Sequence, residues 1–515
     1  MKEIELKLLV DEGMAERLHR SPVVTQFAEG EPRTARLRTI YLDTPTQTLA
    51  DAGIALRVRS EGDGWWQSIK ARKRMEAGLS EATESEAPLP GPVPDLDRVE
   101  NPELREALTQ ALGTAPAEPL FETEVTRTIR RLSLPSGTVE LAVDIGRISA
   151  GEREGRLVEA ELELVSGSPR AVFEAARRLF PDGGARLSTL SKADRGALLL
   201  SAGTIEADPS PRLAKVAAIE PGWTAERAAH AVLSECQAQI AANLAVVLNS
   251  DDPEGPHQLR VGLRRLRSAF LVFAPALGGP EQDRLDTEAR WLSHEVGRLR
   301  DLDVARTDIL EPEIDEGMGA FGFEALAERV RAQADTSRAE LRECLAGGRV
   351  FAFLLDLGAF IAARGWLDPA DWDQTARLAM PAEQALGAAL DERLTRSERK
   401  GQRIAGLSIE SRHDLRRELK KLRYAVEFAA PLWPEKTVRP FLKRLKELQE
   451  IFGDLNDLAM AEMLFLAPDG PVGNDAPAAR AAGFVIGVRT ERARRSWEDA
   501  KGLWKAFTGT KPFWR

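Results

Sequence analysis

The stretch KEIELKLLV, residues 2–10, decides the fold of the first half of the chain. Side chains alternate between the two faces of a β-strand, so Glu3, Glu5 and Lys7 share one face and the apolar residues between them share the other. One strand of this kind is typical of a sheet edge with a solvated face. The pattern recurs in later strands, however, and a recurring charged face needs another explanation.

Paired charges on one face mark five further alternating segments before residue 203. They are Arg57 with Arg59, Lys70 with Arg72, Glu84 with Glu86, Glu140 with Asp144, and Glu161 with Glu163. We expect a closed antiparallel barrel whose lumen is lined by these side chains and whose apolar outer face is covered by helices such as residues 171–180.

A lumen that carries both acids and bases suits a polyanion that brings divalent cations. Carboxylate oxygens are ligands for Mg²⁺ or Mn²⁺, while Lys and Arg bind phosphate oxygens directly. This half holds one histidine, His19, and offers no nucleophile paired with a histidine. The residues therefore favour hydrolysis of a phosphate chain by water that a bound metal activates.

The composition changes near residue 204. Residues 204–221 contain Pro209, Pro211 and Pro221, which is typical of a stiff connection between domains. From residue 222 the chain is rich in Ala, Leu and Arg with a period of three to four residues, which predicts helices. We predict a β domain over residues 1–203, a linker over 204–221 and an all-α domain over 222–515.

The helical half contains an internal repeat. HQLRVGLRRLRSAFLVFAPAL from His257 matches HDLRRELKKLRYAVEFAAPLW from His413 at an offset of 156 residues, and nine of the 21 positions are identical. Residues 292–305 match 448–461 at the same offset without a gap. The pattern predicts a duplication that folds as two pseudo-symmetric helical bundles.

Each repeat places basic residues along one helix face. At about 100° per residue, one face collects His257, Arg260, Arg264 and Arg267, and the other collects His413, Arg416, Lys420 and Arg423. A solvated basic face commonly has acids at i±4, but the first face has none within its helix. Two such stripes brought together would concentrate positive potential in a cleft.

The net charge of −10 argues against a protein that coats nucleic acid or an anionic membrane through bulk charge. Cys236 and Cys344 are too few for a disulfide framework and fit a reducing cytoplasm. The first ten residues carry acids where a secretory signal needs a basic start. The apolar stretch 351–363 is interrupted by Asp356 and is too short to span a bilayer.

The motifs of the first half resemble those of the CYTH domain, the triphosphate tunnel metalloenzymes. Glu3-x-Glu5-x-Lys7 is similar to the family's ExExK signature. Further matches follow in the family's order: Tyr41-Leu42-Asp43-Thr44, Leu56-Arg57-Val58-Arg59, Ile69-Lys70, Glu84-x-Glu86, Thr126-Arg127, Glu140 to Gly146, Glu161-Leu162-Glu163-Leu164 and Ser191 to Gly196.

This resemblance covers about residues 1–200 and implies an eight-stranded antiparallel tunnel that binds triphosphate with a divalent metal. The implied metal ligands are Glu3, Glu5, Glu140, Asp144, Glu161 and Glu163. The implied phosphate ligands are Lys7, Arg57, Arg59, Lys70, Arg127 and Lys192, and Glu3, Glu5 and Lys7 form the implied catalytic group. Glu84 and Glu86 match an acidic strand without a specific role. Ala82 stands where the family often has a basic residue, so one phosphate contact is missing.

The motifs of the second half resemble those of the CHAD domain, which is named for its conserved histidines. HxLRVxLRRLR, LRDLDV, HDLRRELKKLRYxxEF and GDLNDL carry the resemblance over about residues 222–510. It implies binding of inorganic polyphosphate in a basic groove through His257, Arg260, Arg264, Arg265, Arg267, His413, Arg416, Lys420, Lys421 and Arg423. We expect Asp301, Asp303, Asp454 and Asp457 to hold basic side chains in place.

The sequence thus predicts an α+β protein of two domains, a β tunnel barrel with flanking helices followed by an all-α domain. The expected function is metal-dependent hydrolysis of tripolyphosphate to pyrophosphate and phosphate, with Mg²⁺ or Mn²⁺, beside a domain that binds long-chain inorganic polyphosphate. We expect a cytoplasmic protein associated with polyphosphate granules, without a specific nucleic acid or membrane partner. Thiamine triphosphatase activity, adenylate cyclase activity and polyphosphate binding without catalysis stay open, as does the oligomeric state.

Overall fold

A computed structural model of the chain describes residues 2–62, 64–76, 78–315 and 321–515. The chain forms two compact units. The first unit comprises Met1–Pro209 and Ala346–Gly365, and the second comprises Ser210–Leu345 and Trp366–Arg515.

The first unit is built on a closed barrel. Its strands are β1 (Lys2–Leu9), β2 (Ala28–Asp43), β3 (Ile54–Glu61), β4 (Gly64–Glu76), β5 (Leu79–Leu89), β6 (Glu118–Leu134), β7 (Gly137–Ala150), β8 (Arg153–Gly167) and the short β9 (Arg186–Leu187). The strands follow the order β5-β4-β3-β2-β6-β7-β8-β1, and β1 also pairs with β5. All pairings are antiparallel. The predicted eight-stranded antiparallel barrel is confirmed.

Helices occupy the connections of the first unit and nearly all of the second. In chain order they are α1 (Glu12–Leu18), α2 (Pro22–Phe27), α3 (Thr48–Asp51), α4 (Pro102–Leu112), α5 (Arg170–Leu179), α6 (Lys192–Ala202), α7 (Ala225–Asn249), α8 (Glu254–Leu277), α9 (Pro280–Val304), α10 (Glu311–Asp315), α11 (Phe323–Ala346), α12 (Gly348–Ala362), α13 (Trp372–Ala379), α14 (Ala382–Gly401), α15 (Ile409–Ala429), α16 (Glu435–Phe465), α17 (Ala476–Glu498) and α18 (Ala500–Thr508).

The outer face of the barrel packs against helices, as its alternation predicts. Leu6, Leu141 and Leu162 are completely buried in one core together with Val172 of α5. A second core joins β3 and β4 to α4, and a third joins β6 and β7 to α6. Because most apolar side chains of the strands point outward to these helices, the charged side chains between them point into the lumen.

Helix α12 belongs to the first unit although it lies in the helical half of the sequence. Phe351 and Leu355 are part of the barrel core that contains α5. Phe351 contacts Phe180 edge to face at 6.2 Å between ring centroids, and Asp356 lies 3.4 Å from Arg177. The predicted division at residues 204–221 therefore does not account for residues 346–365. Composition could not show this, because an apolar helix fits the core of either unit.

The second unit contains two sets of four corresponding helices. Shifting α7, α8, α9 and α11 by 156 residues places them on α14, α15, α16 and α17, respectively. The repeat found in the sequence therefore extends to whole helices, and the predicted all-α domain with duplicated bundles is confirmed.

Burial in the repeated helices follows the predicted stripes. Leu259, Leu263 and Leu266 of α8 are completely buried, as are Leu415, Leu419 and Leu422 of α15. The basic stripes lie on the other side of each helix. Helix α7 is the one described helix that is long and apolar enough to cross a membrane, but 61% of its most apolar window is buried inside the protein, as in a core helix.

Candidate active site and basic helical cluster

The barrel encloses a polar cavity of about 590 Å³. Nearly all of the predicted barrel residues line it: Glu3, Glu5, Lys7, Arg57, Arg59, Lys70, Glu84, Glu86, Arg127, Glu140, Glu161, Glu163 and Lys192. Strand alternation thus brings together side chains from seven strands, and one helix adds Lys192 to them. Asp144 lies behind the cavity wall and is completely buried.

The strand register places acids beside bases. Directly opposed residues in neighbouring strands are Lys7 with Glu161, Lys70 with Glu84, and Arg127 with Asp144. Opposite charges at such positions attract each other strongly when they are shielded from water. Three acids also lie next to one another, since Glu163 is opposite Glu5 on one neighbouring strand and opposite Glu140 on the other.

Asp144 holds two bases in place. Its Oδ1 accepts a hydrogen bond from Arg127 Nε at 2.7 Å, and its Oδ2 lies 2.6 Å from Arg127 Nη2 and 2.8 Å from Lys192 Nζ. Burial opposes ionisation here, but the Lys192 ammonium and the Arg127 guanidinium lower the pKa of Asp144 to about 2. The sequence placed Asp144 among the metal ligands; in the structure bases occupy both of its oxygens.

Glu161 and Glu159 complete this buried cluster. Glu161 accepts hydrogen bonds from Lys7, from Arg127 at 2.7 Å and from Lys192 at 3.1 Å. Completely buried Glu159 contacts Lys192 as well. Asp144, Glu159 and Glu161 each bring one oxygen within 4.8 Å of the others. The sequence analysis missed Glu159, although it lies two residues before Glu161 on the same strand face.

A second group of acids is only partly neutralised. Both carboxylate oxygens of Glu3 lie 2.7 Å from Lys70 Nζ, but Glu163 makes no ion pair with any described residue. Burial, Glu3 and Glu5 raise the pKa of Glu163 to about 7. This part of the lumen therefore has an excess of negative charge.

A different part of the lumen has an excess of positive charge. Arg57 pairs with Glu84 at 3.1 Å. Arg59 makes no ion pair or hydrogen bond with a described residue, and its Nε is buried without a partner. The positive charge of Arg57, burial and the charge of Arg127 lower the pKa of Arg59 to about 10. An uncompensated guanidinium among other cations is an anion site.

Helix α6 delivers Lys192 to this cavity. The helix begins with a capping box, in which the Ser191 hydroxyl accepts from the Asp194 N–H and the Asp194 side chain accepts from the Ser191 N–H. Gly196 then packs against the ring of Phe121, where an added Cβ would lie 2.1 Å from a ring carbon. The segment Ser191 to Gly196 thus fixes both the start of the helix and its approach to the barrel.

The second unit contains a cluster of unpaired bases, which we call the basic cluster: Arg264 of α8 with Arg416 and Lys420 of α15. None of the three forms an ion pair with a described residue, and Arg264 Nε is buried without a partner. Burial together with the charges of Arg416 and Arg264 lowers the pKa of Lys420 to about 7. The two repeated helices therefore bring like charges together, as their sequences predicted.

The other predicted basic residues differ in their pairing. Acids bind four of them: Arg260 with Asp301 at 2.9 Å, Arg267 with Asp286 at 2.9 Å, Arg423 with Glu427 at 2.8 Å and Lys421 with Glu418 at 3.5 Å. Burial, Arg300 and Arg264 lower the pKa of His257. His413 lines a smaller cavity together with Arg416.

Arg265 does not belong to this surface. It is buried, and it donates hydrogen bonds to Gln239 Oε1 at 2.9 Å and to the Lys215 carbonyl at 2.6 Å. The resemblance to the CHAD domain implied a place for Arg265 among the polyphosphate ligands. One residue turns a helix by about 100°, however, which directs Arg265 into the core.

Three of the four predicted aspartates of the repeats bind basic side chains, and none of these side chains belongs to the basic cluster. Asp301 binds Arg260, whereas Asp303 binds Arg338 at 3.0 Å and Asp457 binds Arg489 at 3.3 Å. Asp454 instead accepts a hydrogen bond from Ser496.

Comparison with known proteins agrees with this architecture. The CYTH domain model matches residues 1–197, and the CHAD domain model matches residues 231–466. An inorganic triphosphatase of Haemophilus influenzae is 30% identical over 200 residues, which is 39% of this chain and 55% of that protein. The chain thus spans about half the length of this relative.

Two further similarities cover more of the molecule. An uncharacterized protein of Mycobacterium tuberculosis is 25% identical over 430 residues, 76% of this chain and 75% of that one. The crystal structure of the CHAD domain from the plant Ricinus communis superposes with a TM-score of 0.50 at 27% identity, covering 59% of this chain and 98% of that one. The chain therefore contains a CYTH domain followed by a CHAD domain, in the order that the sequence predicted.

Proposed function

We propose that the barrel is a metal-dependent inorganic triphosphatase that hydrolyses tripolyphosphate to pyrophosphate and phosphate, and that the helical unit binds inorganic polyphosphate. The observation that carries the proposal is that unpaired negative and unpaired positive charge lie in different parts of one cavity. Among the described residues, Glu163 has no cation partner in one part of the lumen, and Arg59 has no anion partner in another. The inorganic triphosphatase of Haemophilus influenzae supports the same reaction class.

The acidic part of the lumen fits a hard divalent cation. Oxygen ligands with excess negative charge are those that Mg²⁺ and Mn²⁺ prefer. We assign the metal to Glu3, Glu5 and Glu163, with Glu140 beside them, because Glu163 has no ion-pair partner among the described residues and raises the negative charge there. Glu3 and Glu5 would exchange their ion pairs with Lys70 and Lys7 for the metal. When bound, the cation would neutralise phosphate charge and orient water for attack on the chain.

The basic part of the lumen fits the phosphate chain. Arg57, Arg59 and Arg127 offer planar guanidinium groups that can donate two hydrogen bonds to one phosphate group, while Lys7, Lys70 and Lys192 supply compact positive charge. The buried acids Asp144, Glu159 and Glu161 keep these bases oriented before the substrate arrives. Such preorganisation stabilises the charge that develops on the leaving phosphate without reorganisation during the reaction.

The cavity lining favours an inorganic substrate. Tyr41 is the one aromatic residue among the described residues that line the cavity, and its ring stacks on Phe121 at 4.6 Å between centroids. A nucleobase or a thiazole ring would need an apolar or aromatic surface, whereas the described lining of this lumen is mainly polar and charged.

The substrate assignment is tested by phosphate release from tripolyphosphate, thiamine triphosphate and ATP, each with Mg²⁺ or Mn²⁺. We expect tripolyphosphate to have the highest kcat/KM. A higher value for either organic triphosphate would assign the tunnel to that substrate and contradict the proposal.

The basic cluster of the helical unit supports the second part of the proposal. Three unpaired bases on packed helices repel one another, and a flexible polyanion that spans them relieves this repulsion. A chain held there would raise the concentration of phosphate chains near the enzyme. It would also place the protein on polyphosphate granules in the cytoplasm.

Charge reversal tests this role. The double variant Arg264→Glu with Lys420→Glu should lose binding of long-chain polyphosphate and keep tripolyphosphate turnover. Arg399→Glu, an exposed charge reversal outside the cluster, is the matched control and should keep both. Unchanged long-chain binding in the double variant would show that the cluster is not the binding surface.

A further inference from the structure

A second cavity lies inside the helical unit, between α15, α16 and α17, and has a volume of about 300 Å³. This volume is at the lower end of the range for small-molecule sites. Its walls are largely apolar and include Phe452, Leu455 and Leu458 of α16. Inorganic polyphosphate has no group that such walls would bind, so the cavity is not explained by the function proposed above.

The edge of this cavity is basic. His413 and Arg416 line it on the α15 side. Arg416 makes no ion pair with a described residue, and burial and the neighbouring Arg264 lower its pKa more than the attraction of Asp457 raises it. An apolar chamber with unpaired cations at its edge suits a molecule with an apolar body and an anionic end.

Two polar groups narrow the ligand class further. Trp497 lines the cavity, and its indole Nε1 is buried and has no hydrogen-bond partner among the described residues. Glu462 also lines the cavity and forms no ion pair with a described residue, so an acceptor is available too. A buried donor without a partner is unfavourable, and a ligand acceptor that reaches it removes this cost.

We propose that this cavity binds a nucleoside phosphate, with the base between α16 and α17 and the phosphate at His413 and Arg416. A purine with an amino group offers a donor for Glu462 and a ring nitrogen as acceptor for the Trp497 N–H. Its flat apolar faces fit the walls at Phe452 and Leu458. The phosphate shares Arg416 with the basic cluster, so this ligand and polyphosphate would compete for one side chain.

The experiment measures ADP binding by calorimetry to the full chain carrying Arg57→Ala and Arg59→Ala, which weakens phosphate binding in the barrel by removing two of its six proposed phosphate ligands. Adenosine and pyrophosphate are the matched fragments. We expect ADP to bind about tenfold or more tightly than either fragment, because only ADP contacts both the apolar walls and the basic side chains. Equal affinity for ADP and pyrophosphate would overturn the proposal, as would tighter binding of dodecyl phosphate, which has an apolar body but no base.

Filling the cavity locates the site. Ala459→Phe should weaken ADP binding about tenfold or more, while Met463→Phe, an exposed position on the same helix, should leave it unchanged. Trp497→Phe removes the N–H donor and should weaken the binding of ADP more than the binding of pyrophosphate, which has no base. Unchanged ADP affinity in both Ala459→Phe and Trp497→Phe would place the nucleotide elsewhere. Long-chain polyphosphate binding is measured separately, so failure of either proposal is distinguishable from failure of the other.

Discussion

Single residues show where strand alternation is informative and where it is not. Alternation placed Glu3, Glu5 and Lys7 in the lumen correctly, and it would have included Glu159 had the pattern been extended by two residues. It could not show that Asp144 gives both oxygens to bases, because this depends on the partner strand. Arg265 was misplaced because adjacent residues of a basic run point in different directions on a helix.

Arg59 illustrates a conflict between binding and stability. Its unpaired guanidinium is repelled by Arg57 and Arg127 in the free protein. We expect Arg59→Met, which keeps the apolar length of the side chain, to leave the free energy of unfolding unchanged or to raise it by about 1 kcal/mol. The same variant should weaken tripolyphosphate binding by about tenfold, since one phosphate ligand is lost.

Thermal unfolding with and without tripolyphosphate checks this prediction. Arg38→Met, which removes an exposed arginine paired with Glu122, is the control and should leave binding unchanged. Strong destabilisation of Arg59→Met without loss of binding would show that Arg59 is structural.

Lys420 predicts a pH dependence of polyphosphate binding. Its pKa in the free protein is about 7, and a bound polyanion raises it. Below pH 7 the lysine is already charged, so affinity is at its full value. As pH rises above 7, binding must take up a proton, and affinity should fall by up to about tenfold per pH unit.

The measurement is the Kd for long-chain polyphosphate between pH 6 and pH 9. Lys420→Arg keeps its positive charge throughout this pH range, so its Kd should depend on pH much less than that of the wild type. The pH dependence that remains in this variant gives the contribution of the titration of polyphosphate itself. An equally steep slope in Lys420→Arg would assign the effect to another group.

At the scale of elements, short motifs determine how helices meet strands. The sequence identified Ser191 to Gly196 as a motif but could not show why glycine is needed at residue 196. The structure shows that α6 approaches β6 so closely that a Cβ would meet the Phe121 ring. Such close contacts depend on two distant segments and are invisible in either one alone.

Gly196→Ala should therefore displace α6 and the Lys192 ammonium that it carries. We expect destabilisation of about 1–3 kcal/mol, as for overpacking in other cores, together with reduced triphosphate turnover. Gly387→Ala in α14, where a Cβ meets no atom within 4 Å, is the control and should be neutral or stabilising. Wild-type stability and turnover in Gly196→Ala would show that the contact relaxes without effect.

At the scale of the whole molecule, the sequence predicted the barrel and the helical domain. It did not predict that α12, from the helical half of the sequence, belongs to the barrel unit. The two segments that match at the repeat offset predicted a duplicated helical domain, and the structure shows four corresponding pairs of helices. The repeat contained no information on α12, because this helix contributes to the barrel unit through contacts with α5. A truncation after residue 203 would therefore lack part of the barrel core.

Phe351→Ala tests this arrangement in the full chain. We expect the free energy of unfolding of the first unit to fall by about 3–5 kcal/mol, as for other buried Phe→Ala changes. Amide hydrogen exchange should become faster in α5 and β8. Leu341→Ala, a buried change in α11 of the second unit, should leave exchange in β8 unchanged. Slow exchange in α5 and β8 of Phe351→Ala would contradict the assignment of α12 to the barrel unit.

The central claim is that the acidic part of the barrel lumen supports hydrolysis and not binding alone. The most direct measurement is phosphate release from tripolyphosphate by the full chain and by its Glu3→Gln, Glu5→Gln variant, with long-chain polyphosphate binding measured on both proteins. We predict metal-dependent turnover in the wild type, its loss in the variant, and unchanged long-chain binding. Absence of turnover in the wild type, or equal turnover in the variant, would contradict the account.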